Sequence, residues 1–342
     1  MFINLNQNKN LKLFKIISSV ASENGQTVYA VGGYVRDLLM GRATPTDIDF
    51  VTEQSGIALA KSIAEQVAPE QKVSVFKTYG TAMFRYEDLE LEFVGARKES
   101  YSEDSRNPAV EQGSLEDDQK RRDFTINAMA ISLNQENFGE LIDPFNGRQD
   151  LADKILRTPL EPRQTYSDDP LRMMRAIRFA CVLDFQIEAH SLQAIKEEAE
   201  RITIVSMERI MTEFNKIMLS AKPSKGLKIL EETGLLDHIL PELTALKGID
   251  EVDGHTHKDN FFHTLEVVDN IAQNTDKLWL RWAALLHDIG KAPTKKFEKG
   301  TGWTFHGHEY LGSKMLKPLF KRLKLPLGND LKYNYQDRKS VV

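Results

Sequence analysis

Hydrophobic and polar positions follow two different periods in the first 150 residues. Runs with a period of two, typical of half-buried strands, lie at residues 27–31, 47–52, 72–76, 80–86 and 89–94. Spacings of three and four at residues 10–22, 34–40 and 56–68 predict helices between these strands. The pattern therefore predicts an α/β unit at the start of the chain.

A long polar stretch at residues 96–122 has neither period. Unstructured segments of this length are uncommon in compact domains and are usually functional or mobile. We therefore predict a functional or mobile loop there.

The pattern changes after Pro144, where strand signals almost vanish. Helical spacing follows at residues 168–183, 189–200, 206–219, 223–233 and 263–274, which predicts an all-α body with a junction near residues 143–160. The chain stops inside this helical pattern, and a common sequencing adapter would encode Asp337 to Val342. We expect a truncated chain with a non-native tail, and a short genuine tail is the alternative.

Net charge, cysteine content and the length of apolar runs indicate the partners and the compartment of the protein. The formal net charge is −5, so any contact with RNA requires a local basic surface. The single cysteine, Cys181, is compatible with a reducing compartment. No apolar run reaches the roughly 20 residues of a membrane span, so we expect a cytoplasmic protein that contacts no membrane.

The strongest chemical signal joins VGGYVRD at residues 31–37 to TDIDF at residues 46–50. Gly32 and Gly33 follow a predicted strand and precede a predicted helix, where backbone N–H groups can approach a phosphate closely. Arg36 lies in the first turn of that helix and can add positive charge. Asp47 and Asp49 are two residues apart on a strand, so their carboxylates share a face and can bind a pair of Mg²⁺ ions.

These motifs resemble the nucleotidyltransferase superfamily that includes DNA polymerase β. They are most similar to bacterial CCA-adding enzymes and poly(A) polymerases, over residues 25–320. The resemblance implies an α/β head with a mixed sheet, followed by an all-α neck and body with an HD-type helical domain. It places the head at residues 1–150, the neck at 151–245 and a partial HD domain at 246–336, with 337–342 as the suspected tail.

The resemblance also implies roles in RRDFTINA, residues 121–128. The family uses this motif for the ribose and phosphates of the nucleotide, which assigns binding to Arg122 first and Asp123 next. Whether Arg121 or Arg122 faces the ligand stays open. Glu92 best matches the third metal-binding carboxylate of the family, although Glu90 shares its strand face. The stretch at residues 143–151 resembles the hinge between head and neck.

A further family motif is DDPLRMMRAIRF at residues 168–179. Asp168 is expected to cap a helix that has Pro170 in its first turn. The resemblance implies that Asp169 and Arg172 select the incoming base as a protein template. It assigns Arg175 and Arg178 to nucleotide contacts, and a solvated basic face is the alternative for Arg178.

Histidines form a second candidate site. His263, the pair His287 and Asp288, and His308 have a spacing that resembles HD phosphohydrolases, whose histidines and aspartate bind a divalent metal. Such sites usually use a further aspartate from a later helix, and the sequence offers no convincing one. The resemblance leaves two interpretations of this region open: a second divalent metal with hydrolysis of phosphoesters, and an HD fold retained without this activity.

Three functions remain open from the sequence. The first is addition of CCA to the 3′ end of tRNA from CTP and ATP with Mg²⁺, with A-only, CC-only and poly(A) addition as variants. The long polar stretch favours full CCA addition. The second is a metal phosphohydrolase, and the third is an inactive RNA-binding remnant. The sequence does not indicate the oligomeric state.

Overall fold

A computed structural model describes residues 1–42, 46–102 and 105–327. The chain divides into two compact units, Met1–Asp168 and Asp169–Val342. The suspected tail at 337–342 lies outside the described residues. Within the described part of the chain, no helix is both long and apolar enough to cross a membrane.

The first unit combines short strands and helices. Its strands are β1 Tyr29–Val31, β2 Asp47–Thr52, β3 Ser74–Phe76, β4 Thr81–Tyr86, β5 Leu89–Gly95, β6 Arg97–Ser102, β7 Ser105–Gln112, β8 Ala130–Ser132, β9 Leu141–Ile142 and β10 Ile155–Leu156. Its helices are α1 Leu11–Glu23, α2 Gly33–Leu39, α3 Gly56–Val67, α4 Leu115–Lys120, α5 Gly147–Asp153 and α6 Pro162–Asp168.

Seven of these strands form one sheet in the order β3-β4-β5-β2-β1-β8-β9. The neighbours β2 and β5 run parallel, and β2 pairs with β1 in the antiparallel sense. The head is therefore an α/β fold with a mixed sheet, as predicted.

One face of the sheet is covered by helices. Ile48 and Phe50 of β2 are fully buried in the same core as Leu59 of α3, and Phe50 stacks on Phe93 with ring centres 4.8 Å apart. Burial of each such side chain contributes about 2 kcal/mol. Because strand side chains alternate, Asp47 and Asp49 are placed on the opposite face.

The prediction of an unstructured loop at residues 96–122 is wrong. The structure has the antiparallel pair β6 and β7, followed by α4. Ser114 caps α4, and the carboxylate of Asp117 accepts a hydrogen bond back from the Ser114 backbone N–H. Backbone pairing and capping, which leave no hydrophobic period in the sequence, form these elements.

The predicted hinge at residues 143–151 requires unusual backbone angles. Asn146 has φ 58° and ψ 33°, the left-handed conformation expected from its side chain. A Cβ atom on Gly147 would lie 2.2 Å from the Thr125 carbonyl oxygen, so only glycine fits there. This close approach connects α5 to the segment that follows Arg122.

The second unit is mostly helical. Its helices are α7 Leu171–Val182, α8 Ala189–Glu198, α9 Met207–Met218, α10 Pro223–Glu232, α11 Leu235–Ile239, α12 Pro241–Thr244, α13 Asn260–Asn274, α14 Leu278–Leu286, α15 Lys291–Thr294 and α16 His308–Arg322. Between residues 169 and 327, five short strands accompany them: β11 Gln186–Ile187, β12 Glu251–Val252, β13 His255–Thr256, β14 Lys296–Glu298 and β15 Gly302–Thr304.

A buried arginine joins three of these helices. Arg281 of α14 donates hydrogen bonds of 2.7 Å to the backbone carbonyls of Met218 and Ser220. Met218 is the last residue of α9, and Ser220 follows it. The same guanidinium donates to the Thr275 carbonyl after α13 at 2.8 Å. Because helix C-termini leave carbonyls without partners, this one side chain satisfies two helix ends.

The single cysteine is part of this helical core. Cys181 of α7 is 9% exposed, and burial raises the pKa of its thiol to about 12. A Cβ atom on Gly226 of α10 would lie 2.7 Å from its sulfur, so the two helices meet closely at this point.

Candidate functional site

Four carboxylates lie on two adjacent parallel strands of the head. Asp47 of β2 pairs with Glu90 of β5, and Asp49 pairs with Glu92. Because residues two apart share a strand face, all four side chains project from the face opposite to Ile48 and Phe50. The structure thus places Glu92 beside Asp49, next to the Asp47 and Asp49 pair.

These carboxylates line a cavity of ≈ 350 Å³. Burial raises the pKa of Asp49, neighbouring Asp47 and Asp118 add to the rise, and Arg122 opposes it. Burial and then Asp49 likewise raise the pKa of Glu92. Crowded carboxylate oxygens with raised pKa values are a donor set suited to a hard divalent cation.

Gly32 brings the start of α2 close to these carboxylates. Its φ of 72° favours glycine, and a Cβ atom there would lie 3.5 Å from Asp49 Oδ2 and 3.2 Å from Arg122 Nη1. The helix begins at Gly33, where a Cβ atom would lie 3.5 Å from Arg36 Nη2. The glycine pair therefore lies close to Asp49 and Arg122 in space, although Arg122 is far from the glycines in the sequence.

Arg36 belongs to a buried hydrogen-bond network. Its Nε and Nη2 donate to the two carboxylate oxygens of Asp37 at 2.9 and 2.8 Å, and its Nη1 donates to Asn127 Oδ1 at 2.8 Å. Asn127 in turn donates from Nδ2 to Asp123 Oδ1 at 3.0 Å. The network connects the VGGYVRD and RRDFTINA motifs through side chains.

Asp118 holds both arginines of RRDFTINA. Arg122 donates to Asp118 Oδ2 from Nε at 3.0 Å and from Nη2 at 2.8 Å, while Arg121 pairs with the other oxygen, Oδ1. Although its complete burial opposes ionisation, the two arginines keep the pKa of Asp118 below its ordinary value. Sequence reasoning missed Asp118, and its spacing of three and four from two arginines was the available signal.

The two arginines differ in their neighbours. Arg122 contributes an attractive interaction to Asp49 and lies against Gly32, and Arg121 donates a hydrogen bond to Asp118. The structure thus places Arg122 at the glycine turn.

The start of α7 differs from the prediction. Asp168 does not cap this helix; it ends α6, and Pro170 is the N-cap residue of α7. Asp169 accepts a hydrogen bond from the Leu171 backbone N–H at 3.3 Å, and its carbonyl accepts from the Arg172 N–H at 2.9 Å. Proline disfavours helical angles in the residue before it, which accounts for the break at Asp169.

The arginines of α7 contact neighbours within the second unit. Arg178 Nε lies 2.8 Å from Glu213 Oε2 of α9, and its guanidinium is 4.1 Å from the centre of the Phe179 ring. The guanidinium of Arg175 lies 5.6 Å from the same ring. Arg178 is thus engaged in packing between α7 and α9, and its side chain is only 15% exposed.

The histidines of the second candidate site come together. Ligand atoms of His263, His287 and Asp288 all lie within 4.8 Å of one another. His308 is adjacent, with Nε2 at 3.6 Å from Asp288 Oδ1. The Nδ1 atoms of His287 and His308 lie 2.8 and 2.9 Å from backbone carbonyls, which requires a proton on Nδ1 and directs Nε2 of both rings toward Asp288.

Two lysines, Lys291 and Lys258, contact this cluster. Lys291 donates to Asp288 Oδ2 at 2.7 Å, and Lys258 Nζ lies 2.9 Å from His263 Nδ1. Burial and then Lys258 lower the pKa of His263, which favours the neutral imidazole that binds metals. Hydrogen bonds from His287 and Lys291 overcome the effect of burial and lower the pKa of Asp288. The donor set fits a divalent metal if Lys291 turns away from Asp288.

Comparison with known proteins gives matches along most of the chain. The family model for the Poly A polymerase head domain matches residues 28–157, the model for the probable RNA and SrmB-binding site of polymerase A matches 184–247, and the HD domain matches 260–338. The multifunctional CCA protein of Paraburkholderia phymatum is 33% identical over 312 residues, which cover 87% of this chain and 70% of that protein.

Two further relatives differ in coverage. The A-adding tRNA nucleotidyltransferase of Aquifex aeolicus is 41% identical over 203 residues, but these are 59% of this chain and 24% of that protein. A crystal structure of a tRNA nucleotidyltransferase with a primer tRNA and an incoming ATP analogue is 28% identical, with a TM-score of 0.65 over 94% of this chain and 90% of that one.

The head fold and these matches define the class as a nucleotidyltransferase. The chain belongs to the family of tRNA nucleotidyltransferases and poly(A) polymerases that carry an HD domain. Members of this class depend on a divalent metal, and the carboxylates of β2 and β5 are compatible with one.

Proposed function

We propose that the protein adds CCA to the 3′ end of tRNA from CTP and ATP, with Mg²⁺ as its metal. The observation that carries the proposal is the placement of Asp47, Asp49 and Glu92 on adjacent parallel strands that face one cavity. The resident Mg²⁺ ions would supply Lewis-acid activation of a hydroxyl and stabilisation of the leaving pyrophosphate. The relatives act on tRNA by name, which supports this substrate. The single buried cysteine accords with a cytoplasmic reaction.

The residues around the carboxylates would hold the nucleotide. Arg122, kept in place by Asp118, lies where a triphosphate at the Gly32 turn would need positive charge. Gly33 at the start of α2 offers backbone N–H groups, and Arg36 with Asp123 stiffens the wall of the same site through Asn127. These groups bind and orient the nucleotide while the three carboxylates hold the metal.

Selection of the base would fall to the second unit. We assign it to Asp169 and Arg172, with Arg175 and Arg178 as further contacts, on the strength of the DDPLRMMRAIRF motif. In this scheme residues 1–150 form the head, 151–245 the neck and 246–336 the HD region. Loss of base selection in Asp169→Ala, measured as incorporation of UTP or GTP, would support the assignment.

The test supplies tRNAs that end before CCA, after the first C and after the second C. CTP and ATP are given separately and together, and product lengths are resolved on a sequencing gel. Ordered addition of C, C and A supports the proposal. Addition of A alone, CC alone or long A tracts would assign one of the variants.

A matched pair of substitutions tests the metal site. Asp49→Asn preserves side-chain size but removes a charge from the cavity, and we expect at least a thousand-fold loss of addition. Glu65→Gln removes one carboxylate from the exposed side of α3, a helix that covers the opposite face of the sheet, and should retain activity. Equal activity of both variants would contradict the proposed site.

The cluster of His263, His287 and Asp288 supports a second candidate function, metal-dependent hydrolysis of phosphoesters. Bis-p-nitrophenyl phosphate would serve as probe, with Mg²⁺, Mn²⁺ and Ni²⁺ supplied in turn. Hydrolysis that is lost in His287→Ala but retained in Asp49→Asn would assign the activity to this cluster. The absence of hydrolysis with every metal would leave addition as the activity of the chain.

A further inference from the structure

Arg85 of β4 occupies the same row of the sheet as the metal-site carboxylates. It pairs with Glu90 of β5, which pairs in turn with Asp47 of β2. Two strand spacings therefore separate Arg85 from Asp47, which corresponds to roughly 10 Å. Arg85 is exposed and lines the cavity together with Asp47, Asp49 and Glu92.

The cavity has an unusual charge balance for a site that receives RNA. Its lining contains the carboxylates of Asp47, Asp49, Asp88, Glu90 and Glu92, and Arg85 is the one cationic side chain among the described residues that line it. A 3′ end that approaches this surface carries a phosphate next to its terminal hydroxyl. The bound metal does not neutralise every carboxylate of the cavity, and the remaining negative charge repels that phosphate. A cation at the edge of the cavity would offset this repulsion.

Three other arginines near the site already form ion pairs with aspartates. Arg36 is bonded by Asp37, and Arg121 and Arg122 are bonded by Asp118. Among the described residues, none forms such an ion pair with Arg85. Its guanidinium is therefore available to bind an oxyanion, and its planar fork of donors suits a phosphate.

We propose that Arg85 binds a backbone phosphate of the RNA strand close to its 3′ end and holds the terminal hydroxyl over the carboxylates of β2. This inference rests on the proposed function and adds a positioning residue to it. Arg85 contacts the strand that grows, whereas Arg122 lies on the side of Gly32, where the nucleotide enters.

Equilibrium binding and steady-state kinetics test the proposal with the full chain. Arg85→Gln should weaken binding of a tRNA that ends in CC, and raise the KM for that tRNA, by about tenfold, with little change in kcat. In a plot of the logarithm of the binding constant against the logarithm of the salt concentration, the slope should become shallower by about 0.7. This is the value of one phosphate contact on a single strand. Arg85→Lys should recover part of the affinity, because it keeps the charge.

Two controls separate this role from others. Lys61→Gln removes a positive charge from the exposed side of α3, which covers the opposite face of the sheet, and should leave tRNA binding unchanged. The effect of Arg85→Gln should disappear on a tRNA from which the single-stranded 3′ end has been removed.

Several results would overturn the inference. An unchanged tRNA affinity in Arg85→Gln, or an equal loss on the shortened tRNA, would exclude contact with the 3′ end. A change confined to the Mg²⁺ dependence would show that Arg85 only offsets the carboxylates. If the wild-type chain adds no nucleotides, the proposed function fails, while the binding measurements still decide the role of Arg85.

Discussion

Asp118 accepts two hydrogen bonds from Arg122, at 3.0 and 2.8 Å, and thereby keeps this guanidinium from turning fully toward Asp49. Arg122 Nη1 and Asp49 Oδ2 both lie within 3.5 Å of one point, the position of a Cβ atom on Gly32. A buried acid outside the metal site thus determines how much positive charge reaches it.

Removal of the Asp118 charge should therefore impair metal binding. In Asp118→Asn we expect Arg122 to pair with Asp49 and to compete with Mg²⁺, which raises the Mg²⁺ concentration for half-maximal activity about tenfold. Loss of one partner of a buried pair should also lower the free energy of unfolding by about 3 kcal/mol. A titration of activity with Mg²⁺ and a urea denaturation curve measure the two effects.

Glu116→Gln is the matched control, because Glu116 forms an exposed ion pair with Lys120 in the same helix. Such surface pairs contribute less than about 1 kcal/mol, so stability and Mg²⁺ dependence should both remain close to wild type. An unchanged Mg²⁺ requirement in Asp118→Asn would contradict the role we assign to Asp118.

The raised pKa of Asp49 predicts a gain in stability when its charge is removed. Burial is the main cause of the shift, so ionisation of Asp49 costs free energy in the folded protein. Without Mg²⁺ at pH 8, Asp49→Asn should be more stable than wild type by about 1 kcal/mol, since active-site charges often lower stability. Thermal denaturation with a chelator present measures the difference.

The sign of this effect depends on pH. A raised carboxyl pKa favours the protonated form in the folded state. The free energy of unfolding of the wild type is therefore lowered only when the pH is above about 4, the ordinary pKa of an aspartate. The penalty is complete once the pH exceeds the raised pKa of Asp49, and the gain from Asp49→Asn should vanish as the pH falls to about 4. Mg²⁺ should stabilise the wild type alone. A variant less stable than wild type at pH 8 without Mg²⁺ would refute this account.

Activity should follow the same carboxylates. The pKa values of Asp49 and Glu92 are raised, so the acid limb of the activity profile should lie at a higher pH than an ordinary carboxyl would give. Because Mg²⁺ binds the ionised forms, a higher Mg²⁺ concentration should move this limb to lower pH. A limb that stays in place at two Mg²⁺ concentrations would point to a different titrating group.

Gly32→Ala should damage the site through both its backbone and its Cβ atom. The φ of 72° with ψ −139° is a conformation open almost only to glycine, and the new atom would lie 3.2 Å from Arg122 Nη1. We expect a loss of about 2 kcal/mol or more in stability and at least a hundred-fold loss of nucleotide addition.

Gly25→Ala separates the two causes. Gly25 has a similar φ of 64°, but a Cβ atom there would meet nothing within 4 Å. It should cost about 1 kcal/mol and leave nucleotide addition intact. Similar activity losses in the two variants would show that backbone strain alone explains Gly32.

The segment at residues 143–151 offers a test of packing. Gly147→Ala forces a Cβ atom to 2.2 Å from the Thr125 carbonyl, so the backbone must shift and the free energy of unfolding should fall by about 2 kcal/mol or more. Asn146→Gly keeps the left-handed angle at φ 58° and should change stability by less than about 1 kcal/mol. Equal melting temperatures of the two variants would contradict the close approach.

Sequence patterns predicted the strand that carries the site. Ile48 and Phe50 alternate with Asp47 and Asp49, and the predicted range of 47–52 is the range of β2. This success has a simple cause: Ile48 and Phe50 are buried in the core, whereas Asp47 and Asp49 line a polar cavity, so the two pairs of residues differ strongly.

Elements held by backbone and capping contacts were not predictable in this way. The sequence of the β6 and β7 pair has no hydrophobic alternation, so the pattern gave no strand signal there. The helix predicted at 168–183 is divided at Asp169, where the following proline determines local geometry. The role of Asp118 was not predicted either. It lies in a charged stretch of the sequence, and such a stretch does not indicate that one aspartate is buried between two arginines.

The environment of Cys181 has a practical consequence for spectroscopy. Its thiol is buried against α10 with a pKa of about 12, so maleimide dyes will not label the folded protein at neutral pH. Because the chain contains one cysteine, a new cysteine at an exposed position would be the sole reactive thiol. Fluorescent reporters can therefore be attached at chosen surface positions while the natural cysteine stays in place.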